Sequence, residues 1–310
     1  MGWKIIHLSK ACKIKIKSEN LLLYFYEEKQ EIKVTIKDID FILFDNTQFS
    51  ITGKTLELLA KNNIATLFIG EEFTPCGILT PYFQHSTMTE IAHIQISLTK
   101  EFKEKAWQEI IKSKLINQAK VLELYRSPKA EDLVKLSSQV QVGDKNNDEA
   151  QGARLYWKQL FKIPNFKREQ GAEDIINSML NYGYAIVRAC MARSVSASGL
   201  LPIFGIWHQN KYNAFNLVDD LIEPFRAFID IHIKILRKTY MNKTSLDTQV
   251  KREIITLLNF ECVEIKGGIS NIPKAIELFV INYKKAMIKD DSSLILYPSI
   301  KEMYFKYECL

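Results

Sequence analysis

His208 closes an almost wholly apolar stretch, residues 199–208. An imidazole in that setting is either a satisfied core side chain or a ligand and proton-transfer group. Downstream, Asp219, Asp220 and Glu223 stand inside the apolar run 214–226. Asp220 and Glu223 are three apart, and Asp219 and Glu223 are four apart; both spacings share a helix face. Neighbouring carboxylates on a buried face repel unless a cation lies between them. On a solvated face Glu223 would instead pair with Arg226. Glu149 heads the segment 149–157, where Ala150, Gly152 and Ala153 permit close approach of another helix or a ligand. Alone, it would read as a first-turn Glu favoured by the helix dipole. One His and two carboxylates from separate segments suit Mg²⁺ or Mn²⁺, whereas zinc more often recruits further His or Cys. Three protein ligands leave positions for water and phosphate oxygens, where such a cation polarises a phosphodiester and activates an attacking oxygen.

These groups need elements to position them. Residues 13–17 and 31–36 alternate charged and β-branched side chains, the period of a half-buried strand. Residues 21–26 form an apolar-aromatic run, joined by a hairpin connection at 27–30. Residues 40–44 and 65–69 are continuous apolar runs, as buried strands are. Between them 52–61 places Leu56, Leu59 and Ala60 at helical spacing. This predicts a small β-rich domain over 1–80. Turn signals at 74–77 and 80–81 punctuate the chain, and a linker is expected over 81–90. Beyond it the period becomes 3.6. Helices are expected over 102–125, 130–140, 148–161, 173–196, 214–236, 248–258 and 273–287, with a polar break at 143–147. The expected fold class is α+β: a small N-terminal β-rich domain followed by a larger all-α catalytic domain over 91–310.

Composition narrows the function. The 310 residues carry a net charge of +6, with 47% apolar and 25% charged residues. This excludes a disordered or low-complexity chain. Residues 1–85 hold ten Lys, no Arg and ten acidic residues, so the downstream part carries the whole surplus and every Arg. Arg grips phosphate with a planar fork, so any nucleic-acid site belongs downstream. The cysteines at 12, 76, 190, 262 and 309 form no C-x-x-C pair and are odd in number. Neither a disulfide framework nor a zinc ribbon is indicated. The N-terminus has no signal-type apolar region, and no apolar run reaches the roughly 18 residues of a membrane span. A cytoplasmic protein with no membrane partner is expected.

Order and spacing together resemble a known family, the catalytic subunit of the CRISPR spacer-acquisition integrase. The resemblance covers nearly the whole chain. Its specific parts are Glu149-Ala-x-x-Ala153-Arg154-x-Tyr156-Trp157, Leu180-Asn181-Tyr182-Gly183-Tyr184-Ala185, and Gly199-Leu-x-Pro202-x-x-Gly205-x-x-His208. The last is followed by Phe215, Leu217, Asp220, Leu221 and Glu223-Pro224. The resemblance implies that Glu149, His208 and Glu223 are the catalytic metal ligands, for Mg²⁺ or Mn²⁺. Many relatives carry Asp at the third position; Glu223 reaches one methylene further and still offers oxygen. Asp220 matches a possible further carboxylate, and Lys211 and Arg226 match basic positions that bind DNA phosphates. The implied reaction is transesterification: the 3′ hydroxyls of a short DNA fragment attack a CRISPR repeat boundary. The implied partners are double-stranded DNA (spacer precursor and CRISPR repeat), a second copy of the chain, and a small companion subunit bridging two dimers. The segment 45–50 and the Pro75-x-Gly77 turn resemble the compact subgroup found beside a single-protein RNA-guided effector nuclease (type II). That adds other type II adaptation proteins and the effector nuclease as partners. Three alternatives stand beside this reading: a metal-dependent nuclease cutting branched DNA with water as nucleophile, a non-catalytic DNA-binding scaffold, and a helical interaction module.

Overall fold

The structure is a computed structural model and describes residues 4–70, 75–79, 87–164, 166–169, 171 and 174–301. The chain divides into two compact units, Met1–Gln84 and His85–Leu310. The expected turn residues at 74 and 80–81, most of the expected linker, Glu173 and Cys309 lie outside the described residues. Among the described residues, Cys12, Cys76, Cys190 and Cys262 form no disulfide.

The first unit runs β1 (Lys4–Leu8), β2 (Cys12–Lys17), β3 (Asn20–Phe25), β4 (Gln30–Thr35), β5 (Ile39–Phe44), β6 (Phe49–Ile51), α1 (Gly53–Lys61), β7 (Ala65–Ile69) and β8 (Pro75–Leu79). Two four-stranded sheets result, ordered β1-β5-β7-β8 and β4-β3-β2-β6. The alternation in β2 turns Cys12 and Ile14 inward and Lys13 and Lys15 outward. β5 pairs in parallel with both β1 and β7 and is buried along nearly its whole length. Leu8, Ile14, Leu21, Leu23, Ile42, Phe44 and Leu59 share one core. Thr52 caps α1, its hydroxyl accepting from Thr55 N. The strands β1, β6 and β8 carry no periodic signal. β8 opens on Pro75, which an edge strand tolerates at its first residue.

The second unit runs α2 (Met88–Ser97), α3 (Lys100–Leu124), α4 (Ala130–Gln139), α5 (Asp148–Leu160), α6 (Ile175–Ala197), α7 (Asn216–Leu221), α8 (Arg226–Tyr240), α9 (Thr248–Thr256), β9 (Val263–Ile265), β10 (Gly268–Ser270), α10 (Ile272–Ile288) and β11 (Ser299–Ile300). Three expectations need correction. α2 begins at Met88, inside the stretch expected to be linker. The region is not all-α, because β10, β9 and β11 form a small antiparallel sheet; the α+β class is unaffected. The single helix expected over 214–236 is broken into α7, a 3-10 turn at Glu223–Phe225, and α8. Pro224 is the reason: it has no N–H to donate, and its ring crowds the carbonyl four residues back. The turn closes instead through Phe225 N donating to Ile222 O at 2.8 Å.

α3 is the axis of this unit. Its buried face carries Trp107, Ile110, Ile111, Leu115 and Leu122, and it packs against α4, α5, α8 and the 3-10 turn. Gly152 lets α5 approach: a Cβ there would lie 2.2 Å from Leu115 Cδ2.

Candidate metal centre

Three elements meet where α5 packs on α3: α5, α3 and the 3-10 turn. Glu149 stands in the first turn of α5, whose N-terminus is fixed by Asp144. The Asp144 carboxylate accepts from Asp148 N at 2.8 Å and Glu149 N at 3.2 Å. Glu223 opens the 3-10 turn, buried with its side chain 6% exposed. Asn117, one turn along α3 from Lys114, holds that turn by donating from Nδ2 to Pro224 O at 2.9 Å. Lys114 Nζ lies 2.6 Å from Glu149 Oε1 and 2.6 Å from Glu223 Oε2. The two carboxylate oxygens are therefore at most twice that distance apart, joined through one cation. Arg226 Nε donates to Glu223 Oε1 at 2.7 Å, and its guanidinium lies 4.8 Å from the centre of the Tyr184 ring.

His208 stands on an irregular segment packed against Trp107 of α3. Its ring is edge-on to Trp107 at 5.7 Å, and the same indole stacks on Trp207 at 5.6 Å. The loop is fixed by Asp220, which is fully buried. Its Oδ2 accepts from Ile206 N at 2.5 Å and Trp207 N at 3.0 Å. Its Oδ1 accepts from His208 N at 3.1 Å and lies 2.6 Å from His208 Nδ1. Both oxygens of Asp220, expected as a possible further carboxylate, are engaged by the His208 loop in this arrangement. An Nδ1–H donated to Asp220 leaves Nε2 as the acceptor nitrogen. Gly205 is required at the bend, since a Cβ there would come 2.2 Å from His208 O and 2.9 Å from Asp220 Oδ2. Asp219 faces away and is gripped by Arg188, with Nε at 2.6 Å and Nη2 at 3.0 Å.

The electrostatics follow. Burial pushes the Glu223 carboxyl up, but the charges of Arg226 and Lys114 overcome it and hold the group down at about 2. Burial lowers the Lys114 ammonium, and Glu223 and Glu149 more than reverse it, so its pKa rises. The hydrogen bond to Asp220 raises His208 against partial burial; Glu223 and Glu149 add to the pull, which places all three groups within electrostatic reach.

Among the described residues, no three His, Cys, Asp or Glu side chains are already gathered as a metal cage. The donor set nonetheless fits a hard divalent cation. Two carboxylates share a single cationic point, the imidazole is anchored through Nδ1, and Glu223 Oε2 is buried with no directed hydrogen bond. Lys211 does not stand on a helix, so its spacing of three from His208 carries no helical meaning. Its ammonium lies over the exposed Tyr212 ring at 4.8 Å. A cavity of about 620 Å³ opens here, lined by His208, Lys211, Tyr212, Lys103, Phe204 and a set of amide side chains. Sequence reasoning missed Lys114 and Asn117. Their signal is a Lys and an Asn on the otherwise apolar face of α3, with Ile110, Ile111 and Leu115 as neighbours.

Behind Arg226, Tyr184 donates its hydroxyl to the buried Asp230. Burial raises the Asp230 carboxyl to about 7, opposed chiefly by the hydrogen bond from Tyr184. The folded chain thus holds a proton between about pH 4 and pH 7 that the unfolded chain has released. Stability from this group falls as pH rises through that window. Asp230→Asn is expected to flatten that slope and to be the more stable form at pH 8, by at most about 4 kcal/mol. The difference should close below pH 4. Thermal unfolding from pH 4 to 8 checks this, and parallel curves for the two proteins would refute it.

Comparison with known proteins gives a consistent result. Residues 6–259 match the family model described as CRISPR associated protein Cas1. A CRISPR-associated endonuclease Cas1 of Neisseria meningitidis serogroup C (strain 8013) is 30% identical over 310 residues, covering 99% of this chain and 100% of that protein. A solved casposase bound to integration product shares the fold, with a TM-score of 0.77, 21% identity, and coverage of 94% of this chain and 93% of that one. A Cas6-RT-Cas1–Cas2 complex does so at a TM-score of 0.74 and 17% identity, over 96% of this chain and 36% of the longer one.

Proposed function

The chain belongs to the Cas1 family of CRISPR-associated endonucleases, and from that premise we propose that it joins the 3′ hydroxyls of short DNA fragments to a CRISPR repeat by metal-dependent transesterification. The observation that supports this reading is that Lys114 joins Glu149 and Glu223 at 2.6 Å each, with the anchored His208 imidazole within electrostatic reach of both. Glu149, Glu223 and His208 Nε2 would hold Mg²⁺ or Mn²⁺, which when bound supplies Lewis-acid polarisation of the phosphodiester and activation of the attacking oxygen. His208 acts as a ligand rather than a base, because Asp220 fixes its ring and a coordinated nitrogen has no lone pair left for a proton. Arg226 and Lys211 position the DNA by holding phosphates; Arg226 is already oriented by Glu223 and Tyr184. Transesterification conserves bond energy, so no nucleotide cofactor is needed.

Joining both strands needs two centres a fixed distance apart, and one chain supplies one. A homodimer formed through the charge-neutral first unit, with a small subunit bridging two dimers, meets that need. The Cas2 present in the structurally similar complex supports such a subunit. Assignment to the type II subgroup, with its further adaptation proteins and effector nuclease as partners, rests on the segment 45–50 and the Pro75-x-Gly77 turn. The test compares DNA fragments with free and blocked 3′ ends. Only the free end should be joined to a repeat-containing duplex. Equal joining of the blocked fragment would overturn the reading, and cleavage without joining would point to water as the nucleophile.

A further inference from the structure

We propose that Lys114 is the resident counter-cation of this centre and that it makes uptake of a divalent cation conditional on a DNA phosphate. This rests on the reading of Glu149, Glu223 and His208 as metal ligands.

The starting point is fixed charge. Glu149 and Glu223 face Lys114 and Arg226, two negative against two positive, while Asp220 is committed to the His208 loop. With the Asp220 carboxylate counted, the set carries one negative charge as it stands. It is also secluded: the side chains of Lys114 and Glu223 are 9% and 6% exposed. Surplus charge in such a place is screened weakly and is costly.

A hard divalent cation takes oxygen ligands at about 2.0–2.2 Å. The oxygens that face each other across the centre, Glu149 Oε1 and Glu223 Oε2, are the ones Lys114 holds at 2.6 Å. Two cations cannot both sit between that pair. The ammonium must withdraw along its flexible four-carbon stem. Its backbone is fixed in α3, so it stays beside the centre with its charge. The centre then carries one positive charge in excess. A phosphate of bound DNA is an anion of the right kind to cancel it, and the displaced ammonium is free to hold one. Metal and DNA therefore bind cooperatively, and by linkage each tightens the other by the same factor. Without DNA, Lys114 keeps the carboxylates paired and the centre closed to stray cations.

The test is a Mn²⁺ titration of the full-length protein, following the free-ion signal by electron paramagnetic resonance. It is run with and without a short duplex whose 3′ ends are blocked, so that binding is read and not turnover. For the wild type, duplex should tighten Mn²⁺ binding at least about tenfold. Lys114→Met removes the charge and keeps the stem. It should bind Mn²⁺ about tenfold more tightly than wild type without DNA, and should lose most of the gain from duplex. Lys114→Arg, which keeps the charge, should retain the wild-type dependence on DNA. A duplex that leaves wild-type affinity unchanged overturns the proposal, and that measurement needs no variant to fold. So does an equal duplex effect in wild type and Lys114→Met. Glu149→Gln separates this failure from the larger one: if it binds Mn²⁺ as tightly as wild type, the metal is held elsewhere and the parent reading fails with the proposal.

Discussion

Glu149→Gln is expected to lower strand joining about a thousandfold or more, the scale of the several kcal/mol that a catalytic metal contributes to transition-state charge. The substitution keeps the shape of the side chain and leaves the Asp144 cap of α5 in place, since the cap acts on backbone N–H groups. It removes the charge of one expected ligand and one of the two partners of Lys114. Glu149 is 30% exposed, so its loss should cost little folding stability. Glu223→Gln should abolish activity too, but with a stability cost of about 3 kcal/mol, because it leaves the buried Lys114 and the half-buried Arg226 beside one carboxylate fewer. A gel assay of joining, with thermal unfolding on the same preparations, checks both. Near-normal joining by Glu149→Gln would remove it from the catalytic set.

Asp220→Asn is the second large effect, expected in a residue that touches neither metal nor substrate. The carboxylate accepts from three successive backbone N–H groups and pairs with His208 Nδ1. An amide at that position turns an NH₂ group toward donors. The expected cost is about 3 kcal/mol of stability, from charge-assisted hydrogen bonds left unmade. Joining should fall about a hundredfold as the imidazole loses its anchor, the usual upper penalty for the outer partner of a metal-bound His. The pH dependence has a definite sign. Asp220 raises the His208 pKa, so the share of stability from this pair is complete below about pH 6.5. It fades as pH rises through the raised His208 value. The stability gap between wild type and variant should therefore narrow above neutral pH. The part due to the backbone N–H groups should remain. A gap that widens with pH would show that His208 is not protonated by this pairing.

Local pattern was enough for much of the first unit. The alternation of 13–17 and 31–36 and the apolar runs at 40–44 and 65–69 became β2, β4, β5 and β7. Period two is a property of neighbouring residues, so it survives without tertiary context. β1 and β6 had no such signal, because they are strands through their pairing with β5 and β2.

For the site, sequence by itself marked the candidate side chains. His208 and Glu223 stand out because a polar group in an apolar run is costly, and a written cost is visible in one dimension, whereas Glu149 was marked only by its place in the motif that carries the family resemblance. Tertiary structure alone decided what each one touches. Lys114 lies between the two carboxylates only because Gly152 lets α5 close on α3. Asp220, in register with Glu223, serves the His208 loop instead, while Pro224 breaks the helix just beyond and carries Glu223 into a separate turn. Such outcomes turn on distances of a few ångströms between segments up to a hundred residues apart, and spacing along the chain holds no record of them.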